Sequence, residues 1–146
     1  RLVLKTVQAI ESNTYSQTDQ TSFIKPNEIL KPAPKIFKEN CRINWTNTCE
    51  QVHDFIRGLS PYPAAWTEFV SPEGKTFPVK IFLSEKEPAD HKLLPGSVIT
   101  DSKHTLKIAT AKGSVIIKEL QLAGKKRITV PESLRGFQMS DRWKVL

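Results

Sequence analysis

The first eleven residues carry apolar side chains at the three- and four-residue spacing of an amphipathic helix. This spacing predicts a helix over residues 1–11. Its apolar stripe comprises Leu2, Val3, Val7 and Ile10. Helices this short are marginal in water, so we expect this one to pack against an element upstream of Arg1. The chain also begins without Met, which suggests a piece of a longer protein.

Two more short helices are predicted, one on each side of the strand-rich region. Residues 35–41 place Ile36 and Phe37 on an apolar face. Residues 131–136 begin with Pro and end with Gly, which is the usual order of these residues at helix ends.

A longer helix is predicted to end at Gly58 and Pro61. Thr46 or Asn47 is the expected cap, and Asn47 with Glu50 has the spacing of a capping box. The apolar stripe of this helix comprises Cys49, Val52, Phe55, Ile56 and Leu59.

From residue 64 onward the apolar period changes to two, which is typical of β-strands. Strands are predicted over about residues 64–70, 77–83, 96–101, 104–110 and 114–120. We expect residues 84–95 to form a polar loop. Five short strands favour a small closed or nearly closed barrel. The predicted fold class is therefore mainly β with short flanking helices, an OB-like small β-barrel.

Residues 12–34 differ from both neighbours in composition. They are rich in Ser, Thr, Asn and Gln and then contain Pro26, Pro32 and Pro34, which is typical of a linker. The predicted organisation is a helix over 1–11, a linker over 12–34, and one domain over 35–146.

The charge is basic and unevenly distributed. The chain has 22 Lys+Arg and 15 Asp+Glu, a net charge of +7, which favours polyanionic partners. Residues 1–100 hold 12 cations and 11 anions, whereas residues 101–146 hold 10 and 4. Lys125, Lys126 and Arg127 are the centre of this excess, in a loop that suits phosphate contacts. A solvated basic loop is the alternative.

A second basic group would lie on one face of the predicted helix over 35–41. Lys35, Lys38 and Arg42 follow the i, i+3, i+7 spacing. A solubilising face opposite Ile36 and Phe37 is the alternative interpretation.

Several functional classes are not supported. No apolar run approaches the roughly 18–20 residues of a membrane span. Two cysteines exclude a disulfide framework, and the three histidines lack ligand spacing, so we expect no metal site. Asp90–His91 and the pair Asp101 and His104 lie in polar segments, without the burial that tunes a general base. Cys49 lies on an apolar face, which favours packing.

Six segments resemble, in order, the C-terminal domain of the methionyl-tRNA formyltransferase family. The strongest is segment 56–67, IRGLSPYPAAWT, and the segment LQLAGKKR over 120–127 favours the tRNA enzymes over related families. The others are 33–36 (APKI), 42–46 (RINWT), 95–99 (PGSVI) and 106–110 (LKIAT). Pro32-Ala33 stands where the family usually has Tyr-Ala, and Asn44 where it usually has Asp before the Trp.

This resemblance implies a specific role. Enzymes of this family transfer a formyl group from 10-formyltetrahydrofolate to the methionyl amino group of initiator tRNA in the cytoplasm. The resemblance places the catalytic residues and the folate pocket in an N-terminal domain in cis. Residues 1–11 would then be the last helix of that domain, and residues 35–146 a helical lead-in plus a tRNA-binding barrel. We expect no catalytic residue, cofactor or metal in these residues, no membrane partner, and a monomer.

The expected RNA contacts are basic residues of the two groups above, with weaker candidates on the strands and the long helix. They are Lys35, Lys38, Arg42, Arg57, Lys80, Lys118, Lys125, Lys126 and Arg127. Arg57 has an alternative role in a structural ion pair. Trp66, Phe77 and Tyr62 are candidates for stacking on bases, with core packing favoured for the first two.

Two other functions remain open at this point. The first alternative is an accessory scaffold in another 10-formyltetrahydrofolate-dependent enzyme, such as an amino-sugar formyltransferase. The second is an autonomous module for single-stranded nucleic acid. The few exposed aromatic residues expected from these strands argue against the latter.

Overall fold

A computed structural model describes all residues, 1–146, and they form two compact units, residues 1–35 and 36–146. The first unit contains one α-helix, α1 (Leu2–Glu11), which confirms the helix predicted at the start of the chain. No side chain of α1 is buried within this unit. Between residues 12 and 34 the regular structure is a single 3-10 turn at Gln20–Phe23.

The second unit contains seven strands, two α-helices and one 3-10 turn. In chain order these are the 3-10 turn Glu39–Cys41, α2 (Cys49–Leu59), β1 (Ala65–Val70), β2 (Thr76–Glu87), β3 (Val98–Thr100), β4 (Leu106–Ala109), β5 (Ser114–Leu122), β6 (Ile128–Thr129), α3 (Val130–Gly136) and β7 (Lys144–Val145).

The strands form one antiparallel sheet that nearly closes into a barrel. Its order is β3-β4-β5-β2-β1-β7, and β6 pairs with β5. The two ends meet where Val145 N–H donates to the carbonyl of Gly96 at 2.9 Å. The φ of Gly96 is +86°, and a Cβ at this position would lie only 2.7 Å from the carbonyl oxygen of Val145. Glycine therefore permits the close approach. The predicted fold class is confirmed.

The core lies inside this curved sheet, and α2 packs against β2 and β5. Helix α2 contributes the buried Cys49, Val52, Ile56 and Leu59. The largest strand side chains in the core are Phe69, Ile81, Leu106, Ile108, Ile117 and Leu120. Cys49 is fully buried, which confirms its packing role, and burial raises the pKa of its thiol.

The helix predicted over residues 35–41 is wrong. Only Glu39–Cys41 forms a single 3-10 turn. The Trp66 indole N–H donates to the carbonyl of Lys38 at 2.8 Å, and Ile43 N–H donates to the carbonyl of Trp66 at 2.9 Å. These bonds hold the segment along β1, so tertiary contacts override a weak local helix preference.

The predicted cap of α2 is wrong by one to two residues. Thr48 is the cap: its hydroxyl accepts from Gln51 N–H at 3.4 Å, and Gln51 Oε1 accepts from Thr48 N–H at 3.1 Å. Thr46, one of the predicted caps, belongs to the preceding turn, where its N–H donates to Asn44 Oδ1 at 3.0 Å. A strand-like bridge between Thr48 and Lys112 sets where the helix begins.

The polar loop predicted over 84–95 is partly wrong, because β2 continues to Glu87. Its last four residues pair with β5, from Ser84 opposite Ile117 to Glu87 opposite Ser114. Shifts in register between Ile81 and Ser84 interrupt the alternation of apolar residues there. The strands β6 and β7 were not predicted, since two residues carry too little pattern.

Candidate nucleic-acid interface

The outer side of β1, β2 and β5 forms the floor of a groove. Trp66, Lys80 and Gln121 are direct neighbours across the three strands and alternate with buried residues. The groove has a volume of about 570 Å³. Residues 36–38 line one side, and the segments 62–64 and 121–124 also line it. We call this the Trp66 groove.

Lys38 and Arg42, two of the predicted RNA-contacting residues, both lie over the Trp66 ring although no α-helix joins them. The Lys38 ammonium lies 5.4 Å from the ring centroid, and the Arg42 guanidinium lies 5.2 Å from it. Cations over an indole face are attracted by its quadrupole. Arg42 also forms an ion pair with Glu68 at 3.1 Å. Lys35 lies in the first unit, at its boundary with the second.

The Pro61-Tyr62-Pro63 turn presents an aromatic ring to solvent. Tyr62 is 87% exposed, and both proline peptide bonds in this turn are cis. The Lys80 ammonium donates to the carbonyl of Pro63 at 3.3 Å, which connects the turn to the floor of the groove.

Residues 123–127 join β5 to β6, and we call this segment the basic turn. It contains Lys125 and Lys126, the two cations of the triplet that have no acidic partner. Gly124 has φ +72°, and Lys125 N–H donates to the carbonyl of Leu122 at 3.0 Å. The Gln121 amide donates to the carbonyl of Lys125 at 2.7 Å. Lys125 and Lys126 are exposed, and neither ammonium forms an ion pair. Their charge is therefore available to an anion.

Arg127 differs from the two lysines that precede it. Its Nε donates to Glu119 at 2.6 Å, and its guanidinium lies 4.6 Å from the Phe82 ring centroid. Lys125 and Lys126 are therefore free of acidic partners, whereas Arg127 is held against the barrel.

Arg57 and Lys118 lie outside the Trp66 groove and are also paired. Arg57 bonds to Asp54 at 3.2 Å, one turn earlier on α2, and Lys118 bonds to Glu85 at 2.9 Å across the sheet. Exposed pairs of this kind are weak, typically about 0–1 kcal/mol, so they compete little with a phosphate.

Phe77 packs edge-on against Phe137, with ring centroids 5.1 Å apart, and also against Trp143. The packing role favoured for Phe77 is therefore confirmed. Trp66 packs against the core and also lines the groove, so its packing role is confirmed and stacking on a base stays a prediction.

His91 and Asp101 are held mainly by backbone groups. No group of three or more His, Cys, Asp or Glu side chains has metal-binding geometry. His91 donates from Nε2 to the carbonyl of Gly113 at 2.7 Å and accepts Leu93 N–H at Nδ1. The Asp101 carboxylate accepts backbone N–H groups of Lys103, His104 and Thr105, which lower its pKa. No helix is long and apolar enough to cross a membrane.

The contributions of Ile36, Phe37 and Gln121 to the groove were missed by sequence reasoning. Their positions depend on strand register and on the path of a segment without regular structure. The only sequence signal was that Ile36 and Gln121 lie within the matched segments 33–36 and 120–127, and that Phe37 follows the first of them.

Comparison with known families identifies the domain. Residues 35–138 match the family described as formyl transferase, C-terminal domain. The chain belongs to this family. The formyl transferase C-terminal domain thus includes the Trp66 groove and the basic turn, and the resemblance seen in the sequence is confirmed.

Several curated relatives of this formyl transferase domain share a name. Proteins named methionyl-tRNA formyltransferase from Bacteroides fragilis and Bacteroides thetaiotaomicron are 51% and 52% identical over 145 residues. The protein of that name from Flavobacterium johnsoniae is 38% identical over 143 residues. Each match covers 98–99% of this chain, which spans about 44% of the relatives' length.

Solved structures support the fold of the formyl transferase domain. A variant of HypX from Aquifex aeolicus superposes with a TM-score of 0.61 at 21% identity, covering 94% of this chain and 24% of that one. HypX in complex with tetrahydrofolic acid gives a TM-score of 0.58 at 21% identity, covering 90% and 21%. At this identity the likeness extends to the fold alone.

Proposed function

We propose that this chain is the tRNA-binding C-terminal part of a methionyl-tRNA formyltransferase. The observation that supports this most directly is the pair of exposed, unpaired lysines, Lys125 and Lys126, beside the Trp66 groove. They occur in a chain 51% identical to proteins of that name. The same relatives favour this function over a scaffold in an amino-sugar enzyme.

The parent enzyme would transfer a formyl group from 10-formyltetrahydrofolate to the methionyl amino group of initiator tRNA, at the start of translation in the cytoplasm. In this proposal a preceding domain in cis supplies the catalytic groups and binds the folate. Residues 1–11 belong to that domain, and residues 12–34 join it to the barrel. The 146-residue chain alone transfers no formyl group.

The domain would act by holding the RNA backbone. Long cationic side chains on a rigid turn contact phosphates without being buried, and such contacts fix position with little sequence information. Holding the acceptor arm places the aminoacyl end at the other domain's active site. This supplies part of the orientation that a reaction between two bound substrates requires.

The contributions of the nine predicted residues follow from their surroundings. Lys125 and Lys126 make the main phosphate contacts, and Lys38, Arg42 and Lys80 extend them along the Trp66 groove. Lys35 adds charge where the chain enters the domain. The remaining three contribute least: Arg57 and Lys118 lie outside the Trp66 groove, and Arg127 is held by Glu119 and the Phe82 ring.

Replacing Lys125 and Lys126 together by Ala tests this proposal in the parent enzyme. We expect a higher KM for methionylated initiator tRNA with little change in kcat, because the variant loses binding and keeps the reacting groups. Loss of two phosphate contacts lowers the slope of log affinity against log salt by about 2.

The matched control replaces Lys92 and Lys103 by Ala, since both are exposed and the loss of charge is equal. The control should retain the KM and the salt slope of the wild type. If the Lys125/Lys126 variant matches its control in both, the basic turn does not bind tRNA. If the unaltered enzyme shows no salt-sensitive binding to tRNA, the function itself is wrong.

A further inference from the structure

The Trp66 groove has the size and floor of a site for a small planar group. Its volume of about 570 Å³ lies within the roughly 300–1,000 Å³ of small-ligand clefts. The floor is a row across three strands in which an indole, an ammonium and an amide are direct neighbours, namely Trp66, Lys80 and Gln121. Sheet faces with aromatic and polar side chains are common platforms for unpaired bases.

The rim of the groove carries aromatic surface in contact with water. Tyr62 is 87% exposed and Phe37, on the side formed by residues 36–38, is 55% exposed. The rings of Pro61 and Pro63 restrict the backbone on both sides of Tyr62, so little order is lost when a ligand stacks on it. Tyrosine and tryptophan rings stack on any base because every base has a π-face.

The charge around the groove is complementary to a phosphate. Lys38 and Lys80 line the groove, and Lys125 directly follows the lining residue Gly124 in the chain. Glu68 is the carboxylate in the lining, and Arg42 neutralises it at 3.1 Å. Aromatic surface together with uncompensated cations fits a base and its phosphate better than it fits an apolar protein segment.

From this geometry we infer that the Trp66 groove binds one unpaired nucleotide of an RNA. The base stacks on Tyr62, the Lys80 ammonium and the Gln121 amide contact its edge, and the basic turn holds the adjoining phosphate. The inference rests on the proposed function and adds to it a contact that only an unpaired part of the tRNA provides.

The test measures binding of the 146-residue chain to three RNA probes. They are an initiator tRNA transcript, the same transcript without its unpaired 3′ nucleotides, and a single-stranded hexanucleotide containing 2-aminopurine. We expect Tyr62→Ala to weaken binding of the transcript about 5- to 30-fold and to leave the salt slope unchanged, because no charge is removed. Tyr62→Phe keeps the ring and should bind within about twofold of the wild type.

The hexanucleotide reports stacking directly. Fluorescence of 2-aminopurine is quenched when its ring stacks, so the wild type and Tyr62→Phe should quench it and Tyr62→Ala should not. Tyr15→Ala removes an exposed tyrosine of the first unit and is the matched control, expected to behave as the wild type. A greater loss of affinity for the full transcript than for the truncated one assigns the nucleotide to the 3′ end, and equal losses assign it to a loop.

The failure of this inference is distinct from that of the proposed function. If Lys125→Ala/Lys126→Ala weakens tRNA binding and Tyr62→Ala does not, the tRNA function is supported and the nucleotide site is wrong. Equal weakening of a fully paired RNA duplex by Tyr62→Ala also overturns it. If Tyr62→Ala changes only the thermal stability of the parent enzyme, the groove contacts another part of that protein.

Discussion

Neighbouring residues of β1, β2 and β5 face opposite sides of the sheet, and the two sides differ in chemistry. Phe69, Val79, Ile81 and Leu120 face inward and are almost fully buried. Trp66, Lys80 and Gln121 face outward and form the floor of the Trp66 groove. The inner side is constrained by close packing, whereas the outer side can carry binding groups without loss of the core.

The largest expected effect tests the inner side. Phe69→Ala removes a fully buried ring, and we expect the free energy of unfolding to fall by about 3–5 kcal/mol. Urea denaturation followed by tryptophan fluorescence measures this loss. Phe37→Ala is the matched control, because 55% of that side chain is exposed, and it should cost less than about 1 kcal/mol. Equal losses would remove the contrast between the two sides.

An intermediate effect separates hydrogen bonding from packing on the inner side. The Thr67 hydroxyl accepts from the Trp45 indole N–H at 3.0 Å and donates to the carbonyl of Leu146 at 2.6 Å. Thr67→Val keeps the shape, leaves the buried Trp45 indole N–H without an acceptor and removes one of two donors from the Leu146 carbonyl, at an expected cost of about 1–3 kcal/mol. Thr76→Val, on an exposed position of β2, should change the melting temperature little. An unchanged melting temperature for Thr67→Val would show that this bond adds nothing to stability.

The smallest expected effect concerns an exposed group outside the groove. Backbone N–H groups of residues 103–105 hold the pKa of Asp101 below its usual value of about 3.9. Its contribution to stability is therefore complete above about pH 4 and is lost as the pH falls through the lower pKa of the folded state. Asp101→Asn should flatten the fall in melting temperature between about pH 4 and pH 2. An unaltered pH profile would mean that the Asp101 carboxylate does not affect the stability of the fold.

Sequence patterns predicted elements where local signals were strong. The stripe of α2 predicted that helix and its buried side, and the apolar alternation predicted the presence of β1 and β5. The cap of α2 and the segment 35–41 were mispredicted, because bonds to Lys112 and Trp66 decide them. Such long-range bonds leave no periodic signal in the chain.

The candidate site was predicted by residue type and less well by arrangement. The unpaired state of Lys125 and Lys126, and the pairing of Arg127 with Glu119, depend on which acids the barrel places nearby. Tyr62 was considered for stacking from its sequence context, but its exposure follows from the fold. Net charge therefore indicated a polyanionic partner, while the structure indicates which cations are free to meet it.

By itself, the sequence determined the fold class, the family and the excess of positive charge in the last third of the chain. These depend on periodicity, composition and short motifs, which are local properties. Tertiary structure alone decided that Lys38, Trp66, Lys80 and Gln121 line one groove and that the basic turn directly follows the lining residue Gly124. Strand register and the path of residues 36–42 bring them together, and both result from packing between residues far apart in the chain.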